Sequence, residues 1–316
     1  MQSTQTFDTH DVISAWRNHP VRTTWAMAII VDCQGHSYRK RGAFTLVNQE
    51  GEQLGVLSGG CLEADIRLMA RKSLSLDKVL TKEYDGRDET DAAYQMGCGG
   101  IVWIKFIPLN DFNNHLNLAE VLDCLEQREV VRFGLDVGEH YQSENICSYV
   151  NSDHDAQLTV EITPKIHLLI CGGGKDASPV CLLAKQLGWQ VSVWDPRSAY
   201  ANKNDFIGAD TILKDPHTEL SHYVTQHKVN FAVLMSHNVA LDAQALGALA
   251  NSEINHIALL GPKKRFEDVV AACGVDEPSI KPNLSGPAGL DIGGDLPTSI
   301  ALSIVAKFHG IAFKKF

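Results

Sequence analysis

Cys171-Gly172-Gly173-Gly174-Lys175-Asp176-Ala177 stands between a short apolar stretch, 166–170, and a run with helical spacing, 177–187. It fits the pattern G-x-G-x-x-G/A through Gly172, Gly174 and Ala177. In that pattern the first glycine permits a tight turn and the second lets the backbone approach a phosphate, while the small third residue lets the helix pack on the strand. The helix that follows turns free N–H groups and the positive end of its dipole toward the same place. A second apolar strand, 190–194, ends at Asp195, a position from which a carboxylate reaches a ribose diol. Arg197, two residues on, has two readings: a contact to a 2′-phosphate or another anion, or an exposed surface arginine. A glycine turn that binds nothing is the plain alternative. The strand before it, the helix after it and Asp195 together favour a nucleotide-like, phosphate-bearing ligand.

Working outward, strands and helices alternate from Lys165 onward. Apolar strands at 166–170, 190–194, 211–213, 231–235 and 256–260 are separated by helical runs at 177–187, 219–227, 241–250 and 266–273. A last helix, 298–308, carries Ile300, Ile304 and Phe308 in one stripe. Short apolar strands without alternation suit parallel strands covered on both faces. Residues 164–316 are therefore expected to form an α/β unit, a Rossmann-like doubly wound parallel sheet. In such sheets the ligand lies beyond the carboxyl ends of the strands. His237 sits there, just past strand 231–235, able to hydrogen-bond a ligand or move a proton, or simply to serve its loop. Lys263, Lys264 and Arg265 follow Leu260-Gly261-Pro262 at another strand end and offer either a phosphate contact or a solvated charge run.

The first third of the chain reads differently. A helix at 8–18 is followed by strands at 25–31, 44–48 and 55–57, a helix at 62–73, and strands at 79–84 and 100–107, an α+β unit spanning 1–109. Two stretches in it place a thiol among glycines at a strand end: Ser58-Gly59-Gly60-Cys61 and Gly97-Cys98-Gly99-Gly100. Glycine there leaves backbone N–H groups unshielded, which forms an anion-binding nest, and a thiolate in such a setting is reactive or binds a soft metal. The alternative is that both are small buried hydrophobes. Cys61 and Cys98 are expected to share one inter-domain pocket, with sulfurs within roughly 10 Å. Cys33, Cys124, Cys147, Cys171, Cys181 and Cys273 lie on apolar strands or helix faces and are expected to be packing residues. Residues 110–163, with a helix at 116–129 and strands at 130–136, 146–150 and 158–162, are expected to connect the two units.

Bulk properties narrow the function classes. Of 316 residues, 44% are hydrophobic and 21% charged, a globular balance. The 28 basic and 38 acidic residues leave a net charge of −10, which disfavours nucleic acid as a partner. No apolar run reaches membrane-spanning length and residues 1–10 lack the apolar core of a signal peptide, so a cytoplasmic location and reduced cysteines are expected. The eight cysteines form no Cys-x-x-Cys pair, which argues against a structural zinc site.

Taken together these stretches resemble the XdhC/CoxI family. The resemblance runs through Arg39 to Ala43, through Ser58-Gly59-Gly60-Cys61-Leu62-Glu63 and through Gly97 to Gly100. In the second half it runs through the glycine turn, Val193-Trp194-Asp195-Pro196-Arg197, Met235-Ser236-His237, Leu259 to Arg265, and Gly286-Pro287-Ala288-Gly289-Leu290-Asp291-Ile292-Gly293. The chain departs from the family at His36-Ser37-Tyr38-Arg39, where small residues and a proline are usual, and 110–163 carries no matching motif. The resemblance implies an accessory protein, rather than an enzyme, that binds the molybdenum cofactor (molybdopterin) and delivers it to a xanthine dehydrogenase-like molybdenum hydroxylase. It further implies a homodimer and a cysteine desulfurase as a second partner. On that basis the cofactor's phosphate falls to Gly172, Gly173, Gly174, Lys175 and Lys263, with Asp195, Arg197 and His237 beside them. Its sulfur- and metal-bearing head falls to Ser58, Gly59, Gly60, Cys61, Cys98 and Gly99. The rival is an NAD(P)-dependent oxidoreductase with Asp195 on the ribose and His237 as acid or base; no second motif for a reducible substrate accompanies it. A ligand-sensing regulator without turnover is a third possibility.

Overall fold

The computed structural model describes residues 8–86, 99–138 and 146–315. The chain divides into two compact units, Met1–Pro164 and Lys165–Phe316.

Unit 1 is built on a five-stranded antiparallel sheet. Its strands are β1 (Trp25–Gln34), β2 (Phe44–Asn48), β3 (Gln53–Leu54), β4 (Leu80–Asp85) and β5 (Ile101–Leu109), in the order β3-β2-β1-β5-β4. The unbroken apolar run of β1 is explained by cover on both faces. Ala26, Ala28 and Ile30 pack with Ile66 and Ala70 of α2 (Glu63–Leu76). Met27, Ile29 and Val31 point the other way, into a core with Val12 and Ile13 of α1 (Thr9–Arg17). Asp8 caps α1 by accepting the His10 N–H at 3.3 Å.

Residues 110–163 contribute to that same core rather than merely connecting. Helix α3 (Leu118–Glu126) and the three-stranded antiparallel sheet β7-β6-β8, formed by β6 (Val131–Asp136), β7 (Cys147–Val150) and β8 (Leu158–Ile162), place Leu122, Phe133 and Ile162 beside Val12 and Met27. The expected helix start at 116 is displaced, because Asn114, His115, Leu116 and Asn117 take left-handed φ values of 47° to 55° before α3 begins. Asparagine tolerates that region best, and the fully buried Leu116 anchors the turn. The strand expected at 55–57 is also absent. Pairing stops at Leu54 because Gly55 turns with φ +85°, and the Leu57 and Ser58 N–H groups are drawn to Glu63 instead.

Unit 2 is a six-stranded parallel sheet in the order β11-β10-β9-β12-β13-β14. Its strands are β9 (His167–Cys171), β10 (Gln190–Trp194), β11 (Thr211–Leu213), β12 (Phe231–Leu234), β13 (His256–Leu259) and β14 (Asn283–Ser285). Leu168, Ile170, Val191 and Val233 face α4 (Ala177–Gln186) and α8 (Pro297–Ala312). Leu169, Cys171, Ala232 and Leu234 face α5 (Leu220–Gln226), α6 (Val239–Leu249) and α7 (Lys263–Ala272) on the opposite side. Helices on both faces and an order that reverses between β9 and β12 make this a Rossmann-like sheet with its crevice above those two strands. Under α8, Ser285 Oγ lies 2.7 Å from His256 Nε2 and accepts from Lys307 Nζ at 2.8 Å. Burial, then the Lys307 charge, pulls His256 down to about 4.

Among the described residues no helix is long and apolar enough to cross a membrane. Cys171 and Cys181 are buried as expected, and burial pushes both thiols up in pKa. Cys147 is exposed instead, because β7 is an edge strand of the small sheet.

Candidate functional site

The glycine turn leaves β9 at the reversal point, and two of its glycines are fixed by protein contacts. Gly172 has φ +127°, and a Cβ there would lie 2.6 Å from the backbone of Met235 and Ser236, so the turn presses directly on the end of β12. Gly173 donates its N–H to Asp195 Oδ2 at 2.8 Å, and a Cβ on it would sit 2.2 Å from Ala201 N. Gly174 differs. Only the flexible Asp176 side chain, at 2.8 Å, crowds its Cβ position, which leaves that backbone approachable. Lys175 is exposed next to it, and Ala177 is buried where α4 meets the sheet.

Asp195 is fully buried, and its carboxylate accepts four bonds. Gly173 N–H supplies one, Arg197 N–H a second at 3.0 Å, and Arg197 Nε and Nη2 two more at 2.9 and 2.7 Å. Burial raises its pKa, yet the Arg197 side chain and the two backbone donors together hold the carboxyl below the usual carboxylate range. A carboxylate has about four acceptor positions, so this one is saturated. Asp195 therefore braces the turn. The ribose contact expected of it requires displacing Arg197.

Arg197 also donates to Ser236 O at 3.1 Å and lies 3.7 Å over the Tyr200 ring. From Ser236 the pairing continues: its N–H donates to Asp242 Oδ1 at 3.1 Å. Asp242, fully buried in the first turn of α6, accepts from Arg265 Nη2 at 2.5 Å, while Arg265 Nε reaches Leu260 O at 3.2 Å. The ends of β9, β10, β12 and β13 are thus joined by one line of charge-assisted bonds. Arg265 is structural, Lys264 pairs with Asp268 along α7, and Lys263 stands exposed at the first position of that helix. His237 has φ +56° and is mostly exposed, with Nε2 2.6 Å from Asp176 Oδ2 at the N-terminus of α4.

In unit 1 the Ser58 stretch is organised by Glu63. Leu57 and Ser58 donate N–H bonds to Glu63 Oε1 at 3.0 and 2.8 Å, and the Ser58 hydroxyl donates to Oε2. Ser58 Oγ in turn accepts the N–H groups of Gly60 and Leu62 at 3.1 and 3.0 Å. This clamp leaves Gly59, Gly60 and Cys61 exposed at the head of α2. Cys98 lies outside the described residues, so its expected pairing with Cys61 does too. Gly99 is exposed with φ +60°, and Gly100 packs so tightly that a Cβ would lie 2.0 Å from His36 O. Among the described residues no cluster of three or more His, Cys, Asp or Glu side chains is placed to hold a metal ion.

Two functionally placed residues, Glu63 and Asp242, have no role assigned from sequence. The signal for Glu63 is its place at the end of the Ser58 stretch. For Asp242 it is the one charged residue in a helix whose other side chains, apart from Gln244, are apolar.

Two family profiles match the chain. The one described as the XdhC Rossmann domain matches residues 168–308, and that of the XdhC and CoxI family matches residues 21–85. The chain is 29% identical over 311 residues to a Bacillus subtilis (strain 168) protein described as a probable xanthine dehydrogenase subunit, covering 89% of this chain and 91% of that protein. It is 27% identical over 200 residues to the molybdenum cofactor insertion chaperone PaoD of Escherichia coli (strain K12), covering 61% and 60%. Its fold is that of a crystal structure described as a xanthine dehydrogenase from Bacillus halodurans, with TM-score 0.81, 24% identity, and coverage of 98% of this chain and 97% of that one.

Proposed function

Since the chain belongs to the XdhC and CoxI family, we propose that it binds a molybdenum cofactor and delivers it to a xanthine dehydrogenase-type molybdenum hydroxylase. The observation that carries this is the match of both family profiles to the two units that hold the glycine turn and the Ser58 stretch. The cofactor supplies a phosphate or nucleotide end, a polar pterin and a dithiolene-bound metal. The residues present fit the first of these. The backbone at Gly174, crowded only by the movable Asp176 side chain, the positive end of α4 and the exposed Lys175 suit an anion, although the Ala177 N–H is already given to Gly174 O, and Lys263 offers a second cation. His237 is placed to add a hydrogen bond at the crevice once released from Asp176. Cys61, with Cys98, is the proposed thiol contact to the soft end.

The dinucleotide alternative is less well supported. NAD(P) binding in this fold relies on an acceptor for the ribose diol, and Asp195 is saturated by Gly173 and Arg197. A homodimer and sulfur supply by a cysteine desulfurase complete the proposal.

The test is co-expression of a molybdenum hydroxylase with and without this chain, reading the cofactor-loaded fraction of the hydroxylase. Loading should rise with the chain present. Equal loading of every hydroxylase of its host without it, or robust NAD(P)H turnover on a small carbonyl compound, would replace the carrier function.

A further inference from the structure

Beside the Ser58 stretch, within unit 1, lies an open cavity of about 300 Å³. Tyr38, Gln53, Gly59, Gly60, Glu63 and Arg67 are among its walls. Its size is at the lower end of small-molecule sites. Arg67 gives the cavity its charge. It donates from Nη1 to Gln53 Oε1 at 3.3 Å and has no ion-pair partner among the described residues, so most of its five donors are unspent. Gln53 is occupied on its other side, donating from Nε2 to Thr45 Oγ1 at 3.3 Å. The charge of Glu63 is met by its three donors. The N–H groups of Gly59 and Cys61 have no hydrogen-bond partner among the described residues. At Gly60, with φ +116°, a Cβ would meet nothing within 4 Å, so a ligand can approach the backbone. A planar cationic fork and open glycine backbone lining one cavity are oxyanion chemistry.

We propose that this cavity is an oxyanion site, in which Arg67 and the amide of Gly59 receive a tetrahedral oxyanion or the anionic oxo-metal end of a larger ligand. Assigning it to the cofactor's metal end rests on the carrier function proposed above; the site itself does not. Cys61, two residues on from Gly59 in the same loop, is exposed next to this stretch.

The experiment is equilibrium dialysis of the full chain against sodium molybdate, phosphate and sulfate separately, for the parent protein and for Arg67→Gln, Arg67→Lys and Lys72→Gln. Lys72 is exposed on the same helix and lines no part of the cavity, so its loss controls for net charge. Losing a charge-assisted contact should weaken oxyanion binding roughly tenfold to a hundredfold in Arg67→Gln. Arg67→Lys should retain part of the affinity, since it keeps the charge but loses the fork, and Lys72→Gln should match the parent. Preference for molybdate identifies an oxo-metal ligand, and preference for phosphate identifies a phosphate end; either supports the site. Equal binding by parent and Arg67→Gln, or no binding of any of the three anions by the parent, overturns it. A chain that binds molybdate through Arg67 yet never retains or delivers cofactor keeps this site and sinks the carrier function. The reverse pattern, unimpaired cofactor delivery with oxyanion binding indifferent to Arg67, sinks the site alone.

Discussion

Replacing Glu63 by glutamine removes one charge and inverts one hydrogen bond, and the consequence can be worked out atom by atom. In the parent, Oε1 accepts two backbone N–H groups and Oε2 accepts the Ser58 hydroxyl, which itself accepts from Gly60 and Leu62. The best orientation of a glutamine keeps its oxygen on Leu57 and Ser58 N–H, now as a neutral acceptor. Each of those bonds then falls from roughly 1.5–3 to roughly 0.5–1.5 kcal/mol. Its Nε2 faces Ser58 Oγ, already loaded with two donors, and the Ser58 hydroxyl proton is left without an acceptor, a further loss of about 1–3 kcal/mol for a buried group. The total is roughly 3–6 kcal/mol, which for a unit of this size lowers the thermal midpoint by at least about 6 °C and by up to roughly 24 °C. The flipped amide is worse, since it sets two N–H donors against an NH₂. The assay is thermal unfolding followed by hydrogen exchange at Gly60 and Leu62, whose amides should lose protection first. A midpoint within about 2 °C of the parent, with both amides still protected, would refute the clamp.

Two other outcomes are expected from the structure. Gly173→Ala forces a Cβ to within 2.2 Å of the Ala201 backbone nitrogen and should destabilise unit 2, whereas Gly174→Ala meets only the movable Asp176 carboxylate and should fold normally while losing ligand retention. Urea unfolding and mass spectrometry of retained ligand on both variants check this, and equal stability of the two would show that the contact at Gly173 is not tight. His256, with burial and Lys307 pulling it down to about 4, stays neutral in the folded chain at pH 7 while the unfolded chain takes up a proton near 6.5. Stability attributable to this group is full above about 6.5 and declines as pH falls toward 4, so His256→Asn should flatten the stability profile across that window, as read by urea titrations at stepped pH.

The parallel sheet was legible because its strands are short, apolar and punctuated. β10 and β11 span the residues expected of them, and α4 starts at Ala177 as the glycine pattern requires. β14 was not foreseen, since a three-residue strand with one apolar side chain, Leu284, carries no periodicity. The segment 110–163 looked like a connection because its strands are half polar. Only the assembled core shows that Phe133 and Ile162 share an interior with Val12. At the crevice, glycine positions were readable because the absence of a Cβ is a property of the residue itself. The partner of Asp195 was not. A carboxylate two residues before an arginine can face a ligand or close on its neighbour, and the fourfold saturation by Gly173 and Arg197 emerges only in three dimensions.

The line of pairs along the strand ends also changes what the acidic surface means for an incoming anion. The chain carries a net charge of −10, yet Asp195 and Asp242, the two buried carboxylates beside the glycine turn, each hold their own arginine. Neither presents an uncompensated negative charge at the floor of the crevice, so the carboxylate nearest the turn that an anion meets is that of Asp176, hydrogen-bonded to His237, and the remaining repulsion comes from surface groups. That repulsion is long-ranged and fades over a Debye length of about 8 Å at physiological salt, whereas short-range attraction to amides at the head of α4 does not depend on distance from the bulk in the same way. Ionic strength therefore acts on the approach of a phosphate-bearing ligand through the exterior of the molecule.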